Sequence, residues 1–286
     1  MIFISTGGCK KEPATEFGKA IYNELGFGIE LSGGAYDPDF RSKILELASQ
    51  TKVTLHNYYP VPEHPFVINL ASDSCDLRTR SIEHVKSALQ LSSEIGSPVY
   101  ACHAGFLVDP PPAALGKKFS TLPISSKEEA LLRFADAVCM LTELGQYYGV
   151  QLLIENNVLT KSNLETFGCN PLLLTTAEEI KEFSKHTGLE TFLLLDLAHL
   201  KVSALTHNLS VKNQLENMTP FISGYHFSEN DGLADTNDPI GKDPWFADLL
   251  VDDIEYNVAE IYTQDLSLLG EQHRLISSLL TRANKS

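Results

Sequence analysis

The sequence predicts an α/β fold, a (β/α)8 barrel built as a single domain over residues 1–286. Three observations predict it. Eight short apolar, β-branched runs recur along the chain, helical periodicity fills most gaps between them, and the runs are apolar throughout instead of alternating. Strands apolar at every position are buried on both faces, as in a parallel sheet. Strand and helix alternate to the end of the chain, and eight such units in under 300 residues fit a closed barrel. The competing arrangement is an open doubly wound sheet, but no G-x-G-x-x-G follows the first run.

The first run, Ile2–Ser5, leads to a helix over Thr15–Leu25, where Phe17, Ile21 and Leu25 stand four apart. The second, Gly28–Leu31, precedes a helix over Phe40–Leu47 that sets Ile44 and Leu47 on one face. Val53–His56 is the third. Its helix covers Ser81–Ile95, with Ile82, Val85, Leu89 and Ile95 near one face. Val99–His103 is the fourth, followed by a long amphipathic helix over Lys127–Tyr148 striped by Leu131, Phe134, Val138, Leu141 and Leu144. After the fifth run, Gln151–Glu155, a helix over Ala177–His186 opens behind Thr175-Thr176 with Glu178 and Glu179 in its first turn, a sound start signal. Thr191–Asp196, Ile222–Phe227 and Val258–Ile261 complete the strands; Leu209–Leu215 and Ser267–Leu280 read as helices. Three connections exceed an ordinary loop: Asn57–Asp76, Phe106–Ser126 and Ser228–Asp253. Each follows a strand, which puts it on the catalytic face of a barrel. Pro110–Pro112 stiffens the second, and Trp245 with Phe246 gives the third an apolar tip.

Composition narrows the function. The chain has 37 acidic and 22 basic side chains, a formal net charge of −15. Such a charge repels nucleic acid at long range and argues against a generic basic binding face. It leaves room for a site that holds phosphate through metal ions. No apolar run approaches the roughly 20 residues of a membrane helix. The start, MIFISTGGCKKEP, lacks the basic and apolar segments of a secretory signal. Cys9, Cys75, Cys102, Cys139 and Cys169 are odd in number, widely spaced and free of C-x-x-C, so reduced thiols and a cytoplasmic location are expected.

The strongest signal is the residues at the strand ends. Strand three ends at His56, strand four at His103, strand five at Glu155-Asn156-Asn157, and strand six at Asp196 with His199 three residues on. Strand seven carries His226, then Glu229, Asn230 and Asp231; strand eight ends at Glu260. In a barrel these ends meet at one mouth, where carboxylates and imidazoles repel or desolvate one another unless a cation neutralises them. A donor set of His, Asp and Glu without Cys suits Zn²⁺, Mn²⁺, Fe²⁺ or Co²⁺. The metal ligands expected are Glu155, Asp196, His226 and Glu260; Asp231 and Asp235 are weaker candidates because N-D-G is also a common turn. The pairs Gly7-Gly8 and Gly33-Gly34 follow strands and allow a ligand close to the backbone. His64, His84, His186, His207 and His273 read as surface residues.

The series IEN, LLLDLAH, GYHFSENDG and AEI at four successive strand ends resembles the xylose isomerase-like TIM-barrel superfamily over nearly the whole chain. That group includes sugar-phosphate isomerases and epimerases, ketose 3-epimerases and the endonuclease IV abasic-site nucleases. The isomerase branch implies one divalent metal (Mn, Zn, Co or Mg) on Glu155, Asp196, His226 and Glu260. It also implies catalysis by Glu155 and Glu260 as base and acid through an enediolate, and His199 on a substrate oxygen. The substrate implied is a small-molecule sugar or sugar phosphate. One departure stands out: ketose 3-epimerases usually carry Arg six residues after the strand-seven His, where this chain has Gly232. The nuclease branch implies a multi-metal phosphoesterase with nine ligands on three zinc ions. His56, His103, Glu155, Asp196, His199, His226, Asp235 and Glu260 match its pattern, but Asn237 stands where it has His. The loops also carry few basic groups: Arg78, Arg80, Lys117, Lys118 and Lys242. The resemblance further implies a homodimer paired through the catalytic-face loops, with Trp245-Phe246 as dimer contact or substrate lid.

Overall fold

Residues 1–114, 119, 122–251 and 253–283 are described by the computed structural model of the protein. Its strands are β1 (Ile2–Ser5), β2 (Gly28–Ser32), β3 (Val53–His56), β4 (Val99–His103), β5 (Gln151–Glu155), β6 (Leu193–Asp196), β7 (Ile222–Phe227) and β8 (Tyr256–Ala259). Each pairs in parallel with the next, and β8 pairs with β1, so the sheet closes into a barrel. The helices are α1 (Ala14–Leu25), α2 (Phe40–Ala48), α3 (Cys75–Glu94), α4 (Lys127–Tyr148), α5 (Lys161–Phe167), α6 (Ala177–Thr187), α7 (Leu197–Thr206), α8 (Val211–Met218) and α9 (Leu266–Ala283). Among the described residues no helix is long and apolar enough to cross a membrane, and all five cysteines are free thiols.

The alternation of side chains along each strand positions the site. Outward residues such as Ile29, Leu31, Leu152 and Ile154 join the large core between barrel and helices. Inward residues Phe3, Val99, Ala101, Leu153, Leu194, Tyr256 and Val258 pack as a separate plug inside the barrel. Two residues further along the same inward face the character changes to polar: Leu153 gives way to Glu155, Leu194 to Asp196, and Val258 to Glu260. The plug closes the barrel below, so the polar residues can meet only at the mouth.

Several elements differ from the sequence expectation. Strand eight is Tyr256–Ala259, two residues earlier than the apolar run, and Glu260 follows it in the first residue of the loop. Helix α3 starts at Cys75, six residues before the expected Ser81, because the Ser74 hydroxyl accepts from the Leu77 N–H and caps it there. Helix α5 is too short to show a period; α7 is buried almost all round and so carries no stripe. Trp245 and Phe246 do not form an exposed tip. Phe246 is fully buried against Phe227, and Trp245 is half-buried on the same core, because an apolar pair this large finds more contact inward than in solvent. Phe246 is thereby removed as a dimer contact or the tip of a lid. Three of the supposed surface histidines are half-buried: His84 beside the Asn57 carbonyl and Phe66, His207 beside Thr175, and His273 stacked on Phe27. Lys117 and Lys118 lie outside the described residues.

Candidate functional site

The strand ends converge as their sequence pattern requires. Glu155, Asp196, His226 and Glu260 each offer a ligand atom within 4.8 Å of the others. His226 Nδ1 lies 2.9 Å from Glu260 Oε2, 3.2 Å from Glu155 Oε1 and 3.9 Å from Asp196 Oδ2. A second group of the same closeness is His56, His103 and Glu155. There Glu155 Oε2 lies 2.8 Å from His56 Nε2 and 3.3 Å from His103 Nδ1. Glu155 thus belongs to both groups, one oxygen turned to each.

Local structure fixes these side chains. Asp196 is the N-cap of α7: its Oδ1 accepts from the His199 N–H at 2.6 Å, which leaves Oδ2 facing the mouth. Asn156 clamps the Asp196 backbone from the neighbouring strand, donating to its carbonyl and accepting from its N–H. Asn157 donates to the carbonyls of Ala104, Gly105 and Leu173, pinning the loops around His103. Gly7 sits where an added Cβ would lie 3.2 Å from Glu260 Oε1, so the glycine keeps the backbone against that carboxylate.

The electrostatics suit a cation. Glu155 Oε1 and Asp196 Oδ2 are buried without a hydrogen-bond partner. Such oxygens are costly unless a cation or proton meets them. Burial, reinforced by the Glu155, Asp235 and Glu260 charges, pushes Asp196 up to about 7 despite His199 nearby. Burial also opposes ionisation of Glu155, but His103, His56 and His226 outweigh it and hold the carboxyl well below its usual range. His226 is desolvated too, yet Glu30, Glu260 and Glu155 raise it well above an ordinary histidine. His103 goes the other way, to about 4, through burial and its imidazole neighbours. Oxygens without partners, neighbouring imidazoles and no thiolate fit a divalent first-row metal.

Of the further candidates, His199 reaches the mouth. Its Nδ1–H donates to the Asn156 carbonyl at 2.8 Å, and Nε2 lies 3.2 Å from Asp235 Oδ2. Asp235 therefore joins the site. Asp231 does not: it is exposed, and its carboxylate accepts from the Leu233 N–H within a turn, the ordinary use of N-D-G. Glu229 pairs with Lys201 outside the cluster. Asn237 donates to the Glu260 carbonyl from a backbone at φ 47°, a left-handed conformation that asparagine tolerates. Sequence reasoning passed over Glu30, Ser32 and Tyr256. Glu30 Oε2 lies 3.0 Å from His226 Nε2 and accepts from the Tyr256 hydroxyl at 2.7 Å; Ser32 Oγ lies 3.3 Å from His56 Nδ1. The available signal was a carboxylate inside an otherwise apolar strand.

Comparison with known proteins agrees with this fold. A family model described as xylose isomerase-like TIM barrel matches residues 22–253. No curated protein sequence matches the chain. Solved structures share the fold. A D-tagatose 3-epimerase-like protein superposes with a TM-score of 0.71 at 19% identity, covering 99% of this chain and 98% of its own. D-psicose 3-epimerase from Clostridium cellulolyticum, solved with D-tagatose, gives 0.60 at 14% identity over 99% and 98%. A Thermus thermophilus protein soaked with zinc chloride gives 0.63 at 17% over 97% and 98%. With the matched model spanning most of the barrel, the chain belongs to the xylose isomerase-like TIM barrel family.

Proposed function

We propose that the chain is a divalent-metal-dependent isomerase or epimerase that acts on a sugar or sugar phosphate through an enediolate. The observation that carries this reading is the convergence of Glu155, Asp196, His226 and Glu260 on one buried point, with carboxylate oxygens that lack other partners. Epimerases among the proteins of this fold support it. A divalent ion held by those four residues would act as a Lewis acid on the carbonyl and hydroxyl oxygens of an open-chain sugar. Glu155 and Glu260 flank the same imidazole nitrogen and serve as base and acid, one removing a proton from carbon and the other returning it. His199, oriented by Asn156 and Asp235, holds a substrate oxygen. Gly232 stands at the place of the epimerase arginine, with φ +83° and Leu205 where a Cβ would go. The reading therefore does not extend to a free-ketose 3-epimerase.

A second reading, a multi-metal phosphoesterase of the endonuclease IV kind, is favoured by the group His56, His103 and Glu155. Against it, Asn237 is committed to the Glu260 carbonyl. Arg78 donates to the Ser72 carbonyl, and Arg80 to that of His64 while covering Phe66. Each guanidinium already spends one nitrogen on a backbone carbonyl, which leaves less of it to build a phosphate footprint. Elemental analysis of purified protein, followed by ketoses, aldoses and their phosphates in heavy water, separates the two. About one tightly bound ion and deuterium exchange at carbon support the isomerase. Two or three ions with phosphoester cleavage and no exchange overturn it. His56→Ala sharpens the contrast in ion count: a one-metal isomerase should keep its ion, whereas a multi-metal phosphoesterase should lose one.

A further inference from the structure

We propose that Glu30 is a positioning residue for His226: it accepts a hydrogen bond from Nε2–H and so presents the Nδ1 lone pair to the metal. The inference rests on the metal reading above. Glu30 lies on β2, fully buried and pointing into the barrel. Its Oε2 is 3.0 Å from His226 Nε2, across 196 residues of sequence. The other edge of the same ring faces Glu260, Glu155 and Asp196. A neutral imidazole has one N–H and one lone pair. A carboxylate at Nε2 keeps the proton there, fixes the ring orientation and makes Nδ1 a better donor to a cation.

Glu30 is itself held in place. The Tyr256 hydroxyl donates to the same Oε2 at 2.7 Å, and Thr54 Oγ1 lies 3.4 Å behind that hydroxyl. Strand register puts Thr54 beside Glu30, and β8 brings Tyr256 from the other side of β1. Tyr256 is also part of the apolar plug. Packing below the mouth is thereby joined to the orientation of one ligand above it. A direct role for Glu30 as a ligand, in the group it forms with His56 and His226, is the alternative that the test separates. We favour positioning because Oε2 serves two donors on the ring edge opposite the four-residue cluster; Oε1, buried without a partner, is the oxygen that a direct ligand role would use.

Two measurements decide it. The first needs no variant: nitrogen-15 correlation spectra of histidine-labelled, zinc-loaded protein should show His226 with its proton on Nε2 and zinc on Nδ1. The opposite tautomer overturns the proposal. The second compares zinc affinity by chelator competition. Glu30→Gln should weaken binding about 10- to 100-fold with the number of bound ions unchanged. Tyr256→Phe should weaken it in the same direction by less. Unchanged affinity in Glu30→Gln overturns the positioning role while leaving the metal reading intact. Loss of a whole ion overturns it in favour of Glu30 as a ligand. A wild-type protein that binds no zinc removes both readings together.

Discussion

Glu155 is the residue shared by the two groups at the mouth. One oxygen faces His226 and Asp196, and the other lies 2.8 Å from His56. Neighbouring imidazoles keep it ionised against the effect of burial. Glu155→Gln removes the charge and the proton-accepting oxygen while keeping the volume. Deuterium exchange at the substrate carbon, read by mass spectrometry, should then vanish; exchange at the normal rate would exclude Glu155 as base. Asp196 makes a second prediction. A carboxyl pushed up to about 7 holds its proton below that pH, and metal binding must expel it. The sign follows: zinc affinity should rise with pH by at least about tenfold per unit between roughly pH 5.5 and 7, one decade for that proton and a steeper slope for the proton His226 also gives up. Chelator competition across this range checks it, and a flat profile would show that Asp196 binds zinc without losing a proton.

At the scale of elements, function depends on where helices and strands stop. Asp196 ends β6 and caps α7 with one oxygen, so the strand–helix junction itself leaves the other for a ligand. The signal D-x-x-H was in the sequence, but α7 was hidden because a helix buried nearly all round has no amphipathic stripe. The close of α4 is equally constrained. A Cβ at Gly145 would sit 2.5 Å from the Val150 carbonyl oxygen, a backbone atom that cannot rotate away. Gly145→Ala should cost about 1–3 kcal/mol by overpacking. Calorimetric melting should fall by several degrees, and an unchanged value would mean that the α4–β5 turn shifts freely.

At the scale of the molecule, the net charge of −15 is partly internal. Glu30, Glu155, Asp196 and Glu260 are all buried around one mouth. Holding them together costs folding energy that a cation, if bound as proposed, would offset. Chelation should therefore lower the melting temperature, and zinc at a hundredfold excess over its dissociation constant should stabilise the fold by about 2.7 kcal/mol. A melting temperature insensitive to both treatments would show that no cation links folding to this site.

The amino-acid sequence by itself determined the barrel and the quartet Glu155, Asp196, His226 and Glu260. Both follow from local pattern: fully apolar strands imply a parallel sheet, and a barrel brings its strand ends to one mouth. Tertiary structure alone decided which neighbours complete the site. The Glu30–His226 contact, the sharing of Glu155 with His56 and the burial of Phe246 join residues distant in sequence or rest on packing that no local period encodes. The same holds for Asp231 and Asp235. They stand four residues apart in one loop, and only the path of that loop puts Asp235 against His199 and leaves Asp231 in an exposed turn.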